Sequence, residues 1–494
     1  MKWISRNADV LKIVIVAVTI SGASAQQATI VQPQSFAVSD ALRDVSPLLG
    51  DAEPPSAVDP VQGVSTTKLL NFDGTAEVAY VYPDANGAAG ATQYMQWTNA
   101  RYTVYSKTTG VIVMAPTSAE LLWKNLGGQC ATTNAGDGIV NYDKAAQRWI
   151  VTHHTGGGVP YTQCVAVSTS SDATGTYYLY GFSLTSTYYP DYPQLGVWPD
   201  AYYLTTNLLN ATSFTNVSAE ICALDRTSML AGIADATAQC FTTVTNADFS
   251  VLQPADLDGA TAPPIGSPNY LLALDTNSLD LYKFHVDFVN PANSTFTGPT
   301  NIPVTAFTQA CSGAFCIPQR GSTEVLDGVG DRLLHRLAYR NFGDHESLVI
   351  THSIAAGASV GVRWYEIRSP GATPVVYQQA TFAPDGKYRW LGSAAMDMNQ
   401  DMVVGYSLSS TSTYPSIGYT GRLSTDLLNT MEAESPIMSG TGDQTASGND
   451  WGNASSMSID PVDDCTFWYT NEYMKKTGTL ANTRIASFKF AACK

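Results

Sequence analysis

The chain alternates short apolar runs with polar turns over most of its length. The segment 136–184 shows this most clearly, because the runs IVNY, RWIVTHH, CVAVSTS and YYLYGFSL are separated by DKAAQ, TGGGVPYTQ and SSDATG. The runs are rich in Val, Ile, Thr, Tyr and Trp, whereas Gly, Asp, Asn and Pro bound them. The pattern predicts four antiparallel strands in about fifty residues, which is the size of one blade of a β-propeller.

Looser copies of this unit recur along the chain, as repeats do when their insertions lie in loops. We mark their predicted first strands by Gln93, Ile139, Leu195, Tyr270, Arg336, Gly392 and Met457. The sequence therefore predicts an all-β fold, a propeller of seven four-stranded blades, with six or eight blades as alternatives. The last unit lacks a fourth strand, and we expect the segment TKLLNFDG at 67–74 to supply it and close the ring.

The first 25 residues have the pattern of a secretory signal. A basic-leaning start precedes the apolar run IVIVAVTISGASA, which ends in Ala-Ser-Ala, so we expect cleavage after Ala25. Residues 26–65 have weak periodicity and are predicted to form a leader or linker, and the propeller is predicted over 66–494. No other apolar run is long enough to cross a bilayer. We expect a monomer that is secreted to the extracellular space or the periplasm.

The composition limits the kinds of molecule that the protein is expected to bind. Among 494 residues only 14% are charged, and the net charge is −16. The negative net charge disfavours nucleic acids and anionic membranes as partners. It does not disfavour uncharged glycans. An extracellular polysaccharide or glycoprotein is the expected partner.

Eight cysteines in an exported chain favour disulfides over free thiols. CxxC clusters are absent from the sequence, which disfavours a zinc site. On the strand map, cysteines that fall at the same end of a sheet pair sequentially. The predicted bonds join Cys130 to Cys164, Cys222 to Cys240, Cys311 to Cys316, and Cys465 to Cys493.

Polar residues fall into two groups on the predicted blades. Aspartates in the turns between first and second strands include the patterns DMNQD and DTNSLD, which resemble fragments of a calcium loop. Asx-turn chemistry explains them more simply, so we predict no metal and no cofactor, with a structural Ca²⁺ as the alternative. Nucleotide-binding and nucleophile-elbow motifs are absent from the sequence.

The second group precedes first strands or follows second strands, at the end where the loops ring the axis. Paired carboxylates there can divide acid and base work, an Arg can hold an anionic sugar, and aromatic faces can stack on sugars. The candidate catalytic residues are Asp450, Glu472, Asp137, Arg389 and His352. The candidate substrate-binding residues are Tyr192, Trp198, Tyr406, Asn453 and Tyr473. An ordinary packing or hydrogen-bonding role is the alternative for each of them.

Several phrases, among them GDGIVNYDKAAQRWIV, LAYRNFGDHESLV and SIDPVDDCTFWYTNEY, resemble a group of large exported bacterial proteins that are mostly uncharacterised. The segment SIDPVDDCTFWYT is also distantly similar to the Asp-box turn of sialidase and BNR-repeat propellers, although it lacks the S-x-D-x-G-x-x-W spacing. The resemblance implies a propeller fold and transfers no activity.

Two functions remain open. The first is a secreted glycan-active enzyme, a glycoside hydrolase or polysaccharide lyase acting at the axial face. The second is a non-catalytic propeller for binding or adhesion to glycans or proteins. The enzyme hypothesis requires two carboxylates, or one with Tyr, His or Arg, about 5–10 Å apart in one cleft. It also expects that Ala at Asp450 and Glu472 abolishes turnover without unfolding the protein.

Overall fold

The computed structural model describes residues 26–45, 63–184, 187–243, 251–313, 315–446 and 451–494. The expected signal at 1–25, part of the expected leader at 46–62, and Asp450 lie outside the described residues. No helix among these segments has the length and apolar character needed to cross a membrane.

The N-terminal segment adds strands to blades that lie far from it in sequence. Its elements are β1 (Thr29–Val31), β2 (Ser35–Val38), α1 (Leu42–Val45) and β3 (Thr66–Asp73). Strands β1 and β2 each extend a sheet at its outer edge, next to Ala238–Thr243 and Tyr177–Phe182 respectively. The expected linker is therefore partly built into the fold, because these short strands cover edges that would otherwise be open.

The remaining strands form units of four consecutive antiparallel neighbours. Unit I contains β4 (Asn86–Ala89), β5 (Gln93–Trp97), β6 (Arg101–Ser106) and β7 (Ile112–Ser118), and unit II contains β8 (Ile139–Asp143), β9 (Arg148–His154), β10 (Gln163–Ser168) and β11 (Tyr177–Phe182). Unit III contains β12 (Tyr188–Val197), β13 (Tyr202–Asn210), β14 (Asn216–Leu224) and β15 (Ala238–Thr243), and unit IV contains β16 (Gln253–Asp258), β17 (Asn269–Asp275), β18 (Ser278–His285) and β19 (Thr295–Pro303).

A hairpin, β20 (Phe315–Pro318) and β21 (Val325–Asp327), precedes unit V. Unit V contains β22 (Leu337–Asn341), β23 (Glu346–Ala356), β24 (Ser359–Arg368) and β25 (Val375–Phe382), and unit VI contains β26 (Tyr388–Met396), β27 (Met402–Ser410), β28 (Thr413–Arg422) and β29 (Ser435–Met438). Unit VII contains β30 (Ser456–Ile459), β31 (Phe467–Tyr473) and β32 (Asn482–Phe490), with β3 as its fourth strand. Short helical turns lie at Ala119–Trp123, Gln129–Ala131, Arg226–Leu230 (α2), Pro291–Asn293 and Ala310–Gly313.

The first strands of the units form a closed ring. Each of β4, β8, β12, β16, β22, β26 and β30 lies against the next, and β30 lies against β4. Strands β16 and β22 also pair in parallel, which joins units IV and V into one sheet of eight strands. The all-β propeller class is confirmed, and so is closure of the last unit by the predicted N-terminal strand.

Two predicted first strands are wrong. Gln93 and Tyr270 lie on β5 and β17, which are the second strands of units I and IV. The true first strands are NGAA and QPADLD, whose small and polar residues give little β signal. In units I and IV, the turn after the marked strand therefore follows a second strand and not a first strand. Its residues lie at the end of the blade opposite to the predicted end.

Many strands show no regular alternation of buried and exposed residues, because their sheets are buried on both faces. All six residues of Gln163–Ser168 are buried, as are all nine of Met402–Ser410. The core is divided into layers between neighbouring units. The layer between the last and first units contains Phe72, Tyr94 and Trp468, and the rings of Tyr94 and Trp468 stack at 5.2 Å.

All four predicted disulfides are present: Cys130–Cys164, Cys222–Cys240, Cys311–Cys316 and Cys465–Cys493. The last of them ties the start of the second strand of unit VII to the segment after β32. It therefore anchors the strand that pairs with β3, at the place where the ring closes.

Removing the closing disulfide should destabilise the protein more than removing the small-loop one. Cys465 and Cys493 are 28 residues apart, whereas Cys311 and Cys316 are 5 apart. Chain-entropy arguments give about 3.5 kcal/mol for the first loop and about 2 kcal/mol for the second. Urea unfolding of the two double Cys→Ala variants measures both losses. An equal or smaller loss for the Cys465–Cys493 variant would contradict a role in closure.

Candidate active site

Acidic side chains gather at the end of the ring where the first strands begin. We call this group the acidic mouth, and its members are Glu77, Asp84, Asp137, Asp191, Asp331 and Glu472. Asp84 and Asp137 lie two residues before β4 and β8, and Asp191 lies on β12 just before its bulge. The shared position in successive units brings the carboxyl groups together around the axis.

The backbone at several of these residues has a left-handed conformation. Asp84, Asp137 and Tyr192 have positive φ angles of 44°, 51° and 48°, and Val251 and Leu391 occupy the corresponding place in two further units. A left-handed residue without a special partner costs of order 1 kcal/mol. Here the backbone N–H of Asp137 donates to Asn99 Oδ1 at 2.7 Å, and Asn99 Nδ2 donates to Asp84 Oδ2 at 2.7 Å. Asn99 thus holds both carboxyl-bearing turns in register.

The mouth has two layers. The lower layer is buried: the exposed fractions of Glu77, Asp84 and Glu472 are 3%, 3% and 1%. The upper layer consists of Asp137, Asp191, Asp331 and Arg332, all of which are partly exposed. Only the upper layer can reach a ligand of the size of a sugar directly.

Asp84 and Asp137 share a hydrogen bond between their carboxyl groups, which requires one proton between them. Burial, followed by the charges of Asp84 and Asp191, raises the pKa of Asp137 well above its usual range. Burial also raises the pKa of Asp84, although hydrogen bonds from Asn453 and Asn99 oppose the change. Asp137 is therefore the proton donor of this pair.

Asp191 has a different environment. Burial raises its pKa, but the nearby Arg332 guanidinium opposes the change. Arg332 stacks on the Tyr192 ring at 4.9 Å and donates to both Asp331 oxygens at 2.8 Å. The backbone N–H of Tyr192 hydrogen-bonds the carboxyl groups of both Asp137 and Asp191. The mouth thus contains two carboxyl groups with raised pKa values, and only at Asp191 does a cation, Arg332, oppose the rise. Environments that separate two carboxyl groups in this direction are what acid–base catalysis uses.

Glu472 lies beneath this pair. Its Oε1 accepts the backbone N–H of Gly452 at 2.6 Å, and its Oε2 has no partner among the described residues. Burial and then the charge of Asp84 raise the pKa of Glu472 well above its usual range. A Cβ atom on Gly452 would lie 2.3 Å from Glu472 Oε1 and 3.2 Å from Asp84 Oδ1. Glycine is therefore required where the chain passes between these two carboxyl groups.

A cavity of about 10 Å³ opens among Asp84, Asn86, Asp137, Tyr192 and His335. This volume is about that of one water molecule, and the cavity walls supply polar partners for it. His335 is neutral, because burial and Arg336 lower its pKa to about 3. Its Nδ1 lies 2.9 Å from Gln194 Oε1 and its Nε2 lies 2.9 Å from Asn86 Nδ2. A sugar ring must bind above this cavity rather than in it.

Aromatic residues form a rim beside the upper carboxyl groups. Tyr189 packs edge-to-face with Tyr161 at 5.3 Å and with Phe214 at 5.7 Å, and Phe214 is 61% exposed. Burial and then the charges of Asp137 and Asp191 raise the pKa of Tyr189, and its hydroxyl lies 3.4 Å from His154 Nε2. The Tyr80 hydroxyl donates to the carbonyl of Asn134 at 3.0 Å, and the charge of Asp137 contributes to its raised pKa after burial, Glu120 and Glu77.

Four of the sequence-predicted residues meet at the mouth: Asp137, Glu472, Tyr192 and Asn453. The Asn453 N–H donates to Asp84 Oδ1, and its carbonyl accepts from the Tyr192 hydroxyl at 2.8 Å. Their proposed roles stay predictions. Sequence reasoning left Glu77, Asp331 and Asn99 out of the candidate set. Asn99 lies two residues after β5, but the sequence marked that strand as a first strand, which placed Asn99 at the other end of the blade.

Five other candidates lie elsewhere, and each has a structural partner. Arg389 is ion-paired with Asp385 at 2.8 Å and with Glu434 at 2.7 Å, and the Tyr406 hydroxyl donates to the same Glu434. His352 is buried beside Tyr365. The Tyr473 hydroxyl donates to Asp73, the last residue of β3. Trp198 is buried at the other end of the ring, against Tyr270 and Tyr339. Asp450 lies outside the described residues.

One cluster of potential metal ligands occurs in the described segments, formed by Glu220, Cys222 and Cys240. Its two sulfur atoms form a disulfide and are not available as thiolate ligands. The carboxyl groups of the mouth are not gathered closely enough to form such a cluster. A structural Ca²⁺ remains an untested expectation.

Comparison with known proteins gives no family. No protein-family model and no curated protein matches the chain. Among solved structures, the extracellular domains 1–2 of Drosophila semaphorin 1b align at 6% identity with a TM-score of 0.39, covering 88% of this chain and 89% of that one.

Two enzymes that act on glycans also align with the chain. A GH43 endo-arabinanase from Bacillus licheniformis aligns at 10% identity and TM-score 0.29, covering 58% of this chain and 92% of the other. An exo-β-1,3-galactanase from Phanerochaete chrysosporium aligns at 10% identity and TM-score 0.31, covering 84% and 98%. At these TM-scores the similarities assign no activity to this chain, and the resemblance to sialidase-type propellers stays a prediction.

The buried carboxyl group of Glu472 should make stability depend on pH. A raised pKa means that the folded protein keeps a proton that the unfolded chain releases above its ordinary value of 4.5. This stabilisation is complete below that value and is lost as the pH rises toward the folded-state pKa. Glu472→Gln carries no charge at any pH, so its unfolding free energy should fall less than that of the wild type between about pH 5 and pH 8, by up to about 1.4 kcal/mol per pH unit.

Urea unfolding at several pH values measures this difference. Glu324→Gln is the matched control, because Glu324 is exposed on a loop. The control should follow the wild-type curve. Parallel curves for Glu472→Gln and the wild type would show that Glu472 is ionised in the folded protein at neutral pH.

Proposed function

We propose that the protein is a glycoside hydrolase that acts on an uncharged glycan at the acidic mouth. One observation carries the proposal. Two partly exposed carboxyl groups, Asp137 and Asp191, flank the same Tyr192 backbone N–H. Burial raises the pKa of both, but acidic neighbours raise that of Asp137 further, whereas Arg332 opposes the rise at Asp191. Hydrolysis of a glycosidic bond requires one such group to protonate the leaving oxygen and another to activate water or attack the sugar.

The roles follow from the environments. Asp137 is the general acid, because burial and its acidic neighbours keep its proton. Asp191 is the base or nucleophile, because Arg332 favours its ionised form. Asp84 acts as a positioning residue, since its buried negative charge opposes loss of the Asp137 proton. The water-sized cavity beneath Asp137 supports hydrolysis, because it offers a site from which water could reach the bond.

Charge favours a hydrolase over a polysaccharide lyase. A lyase must neutralise the carboxylate of a uronate before it removes the adjacent proton. Arg332 is the cation at the mouth within the described residues, and both of its hydrogen bonds to Asp331 are already formed. The ionised members of the acidic mouth would repel an acidic sugar. The aromatic rim suits the apolar faces of a neutral sugar instead.

The first test is turnover. Asp137→Asn and Asp191→Asn should each lower the rate of release of new reducing ends from a responsive neutral polysaccharide by about 10²–10⁴-fold, the usual contribution of general acid–base catalysis. The wild type is first screened against a panel of neutral and acidic polysaccharides. Asp235→Asn is the matched control, since Asp235 is exposed on a loop after α2, and it should keep the wild-type rate.

Other outcomes would contradict this assignment. Wild-type rates in both variants would remove Asp137 and Asp191 from the mechanism. Products that carry an unsaturated uronate would identify a lyase. Saturable binding of a glycan with no turnover of any member of the panel would favour the second candidate, a non-catalytic glycan-binding propeller, which the exposed aromatic rim also supports.

The rim should control substrate binding rather than the chemical step. Tyr189→Ala removes a ring that contacts Tyr161 and Phe214, so we expect KM to rise about tenfold while kcat changes little. Steady-state kinetics on the same polysaccharide measures both constants. Val289→Ala is the control, because this residue is 97% exposed after β18. A fall in kcat with an unchanged KM would assign Tyr189 to the chemistry instead.

A further inference from the structure

A sizeable cavity lies at the opposite end of the ring from the acidic mouth. Its volume is about 360 Å³. It is bounded by the turns after the first strands of units II, III, IV and VII, together with α2. These turns converge because the ring brings the same end of successive first strands together, and a volume of this size accepts a small organic molecule.

The walls are mostly apolar. Val197, Trp198 and Leu257 come from the ends of two first strands, and Pro199 and Pro461 contribute from the turns. The Trp198 indole is fixed by a hydrogen bond from Nε1 to the Ser267 carbonyl at 3.3 Å and by packing on Tyr339. An apolar ligand body would therefore meet a rigid surface.

Most charges at this end are already paired. Arg226 donates to both oxygens of Asp143, at 2.6 and 3.1 Å. Arg340 donates to both oxygens of Asp464, at 2.9 and 2.8 Å. Arg336 donates to both oxygens of Asp258, at 2.5 Å. Each of these guanidinium groups is used by a carboxylate of the protein.

Lys144, in the cavity wall, differs from these arginines because no carboxylate in the described segments pairs with it. Its ammonium makes no hydrogen bond or ion pair with any residue that the structure describes, although the side chain is half-buried. Burial lowers its pKa, and the nearby charges of Asp464, Asp258, Arg340 and Arg336 oppose one another. An ammonium donor thus faces a concave apolar surface with its hydrogen-bonding capacity unused.

We propose that this cavity is a second binding site, separate from the acidic mouth, for a small organic monocarboxylate with an apolar body. The carboxylate pairs with the Lys144 ammonium, and the apolar body lies against Val197, Trp198 and Leu257. A single carboxylate matches the single unpaired cation. A ligand with more charges would meet Asp143 and Asp258 without compensation.

Titration calorimetry with phenylacetate and 2-phenylethanol tests the site. The two probes share an aromatic ring and differ in the carboxylate. The wild type should bind phenylacetate saturably at concentrations up to about 10 mM and 2-phenylethanol at least about tenfold more weakly, because a charge-assisted hydrogen bond is lost. Lys144→Gln should weaken phenylacetate binding by at least about tenfold and leave 2-phenylethanol unchanged. Lys144→Arg should retain most of the affinity.

Lys124→Gln is the matched control, because Lys124 is exposed in unit I outside the cavity. It should bind both probes as the wild type does, and thermal unfolding checks that each variant is folded. Absence of saturable phenylacetate binding to the wild type would overturn the proposal. Equal binding by wild type and Lys144→Gln, or equal affinity for acid and alcohol, would also overturn it.

Discussion

The whole fold depends on the packing of the last unit against the first. Each sheet has two apolar faces, so none of the seven units can end the series without exposing one of them. The layer containing Phe72, Tyr94 and Trp468 resolves this conflict by joining unit VII to unit I. Strand β3 contributes Phe72 to this layer and completes the hydrogen bonding of unit VII. Because β3 precedes unit I in sequence, the two ends of the chain are held in one sheet, and Arg484 secures them through Asp73 at 2.7 Å.

A closed ring fixes the position of every first strand, and this in turn creates the acidic mouth. Carboxyl groups from separate turns are held near one another although they repel, since the closed ring leaves the turns no room to separate. Burial of Glu472 without a cation partner costs stability at neutral pH. A hydrophobic residue in its place would avoid this cost, and groups with such strongly shifted pKa values are concentrated in functional sites. This cost is consistent with the proposed function of the mouth.

The sequence predicted well the features that depend on local pattern. Apolar runs bounded by turn residues gave most strands, and the strand map then gave all four disulfides. The sequence-based prediction failed for β4 and β16. These first strands contain few β-branched and aromatic residues, and neighbouring units impose their pairing. Similar reasoning explains the site: Asp137, Glu472 and Asn453 were found by their position at strand ends. Arg389 and His352 share that position but carry partners, Glu434 and Tyr365, that no spacing in the sequence reveals.

The two ends of the ring differ in how their charges are balanced. The end that the sequence predicts to be purely structural also contains an unpaired charge. The turn YDKAAQRW, at the end expected to be structural, pairs its Asp143 with Arg226 and leaves the next residue, Lys144, with its charge unpaired in the wall of a cavity. The turn GDGIV, at the other end, leaves Asp137 without a cation and holds a proton instead. An uncompensated positive charge at one end and an excess of carboxyl groups at the other select opposite ligands. A propeller can keep both, because the turns at its two ends belong to the same strands yet do not share a cavity.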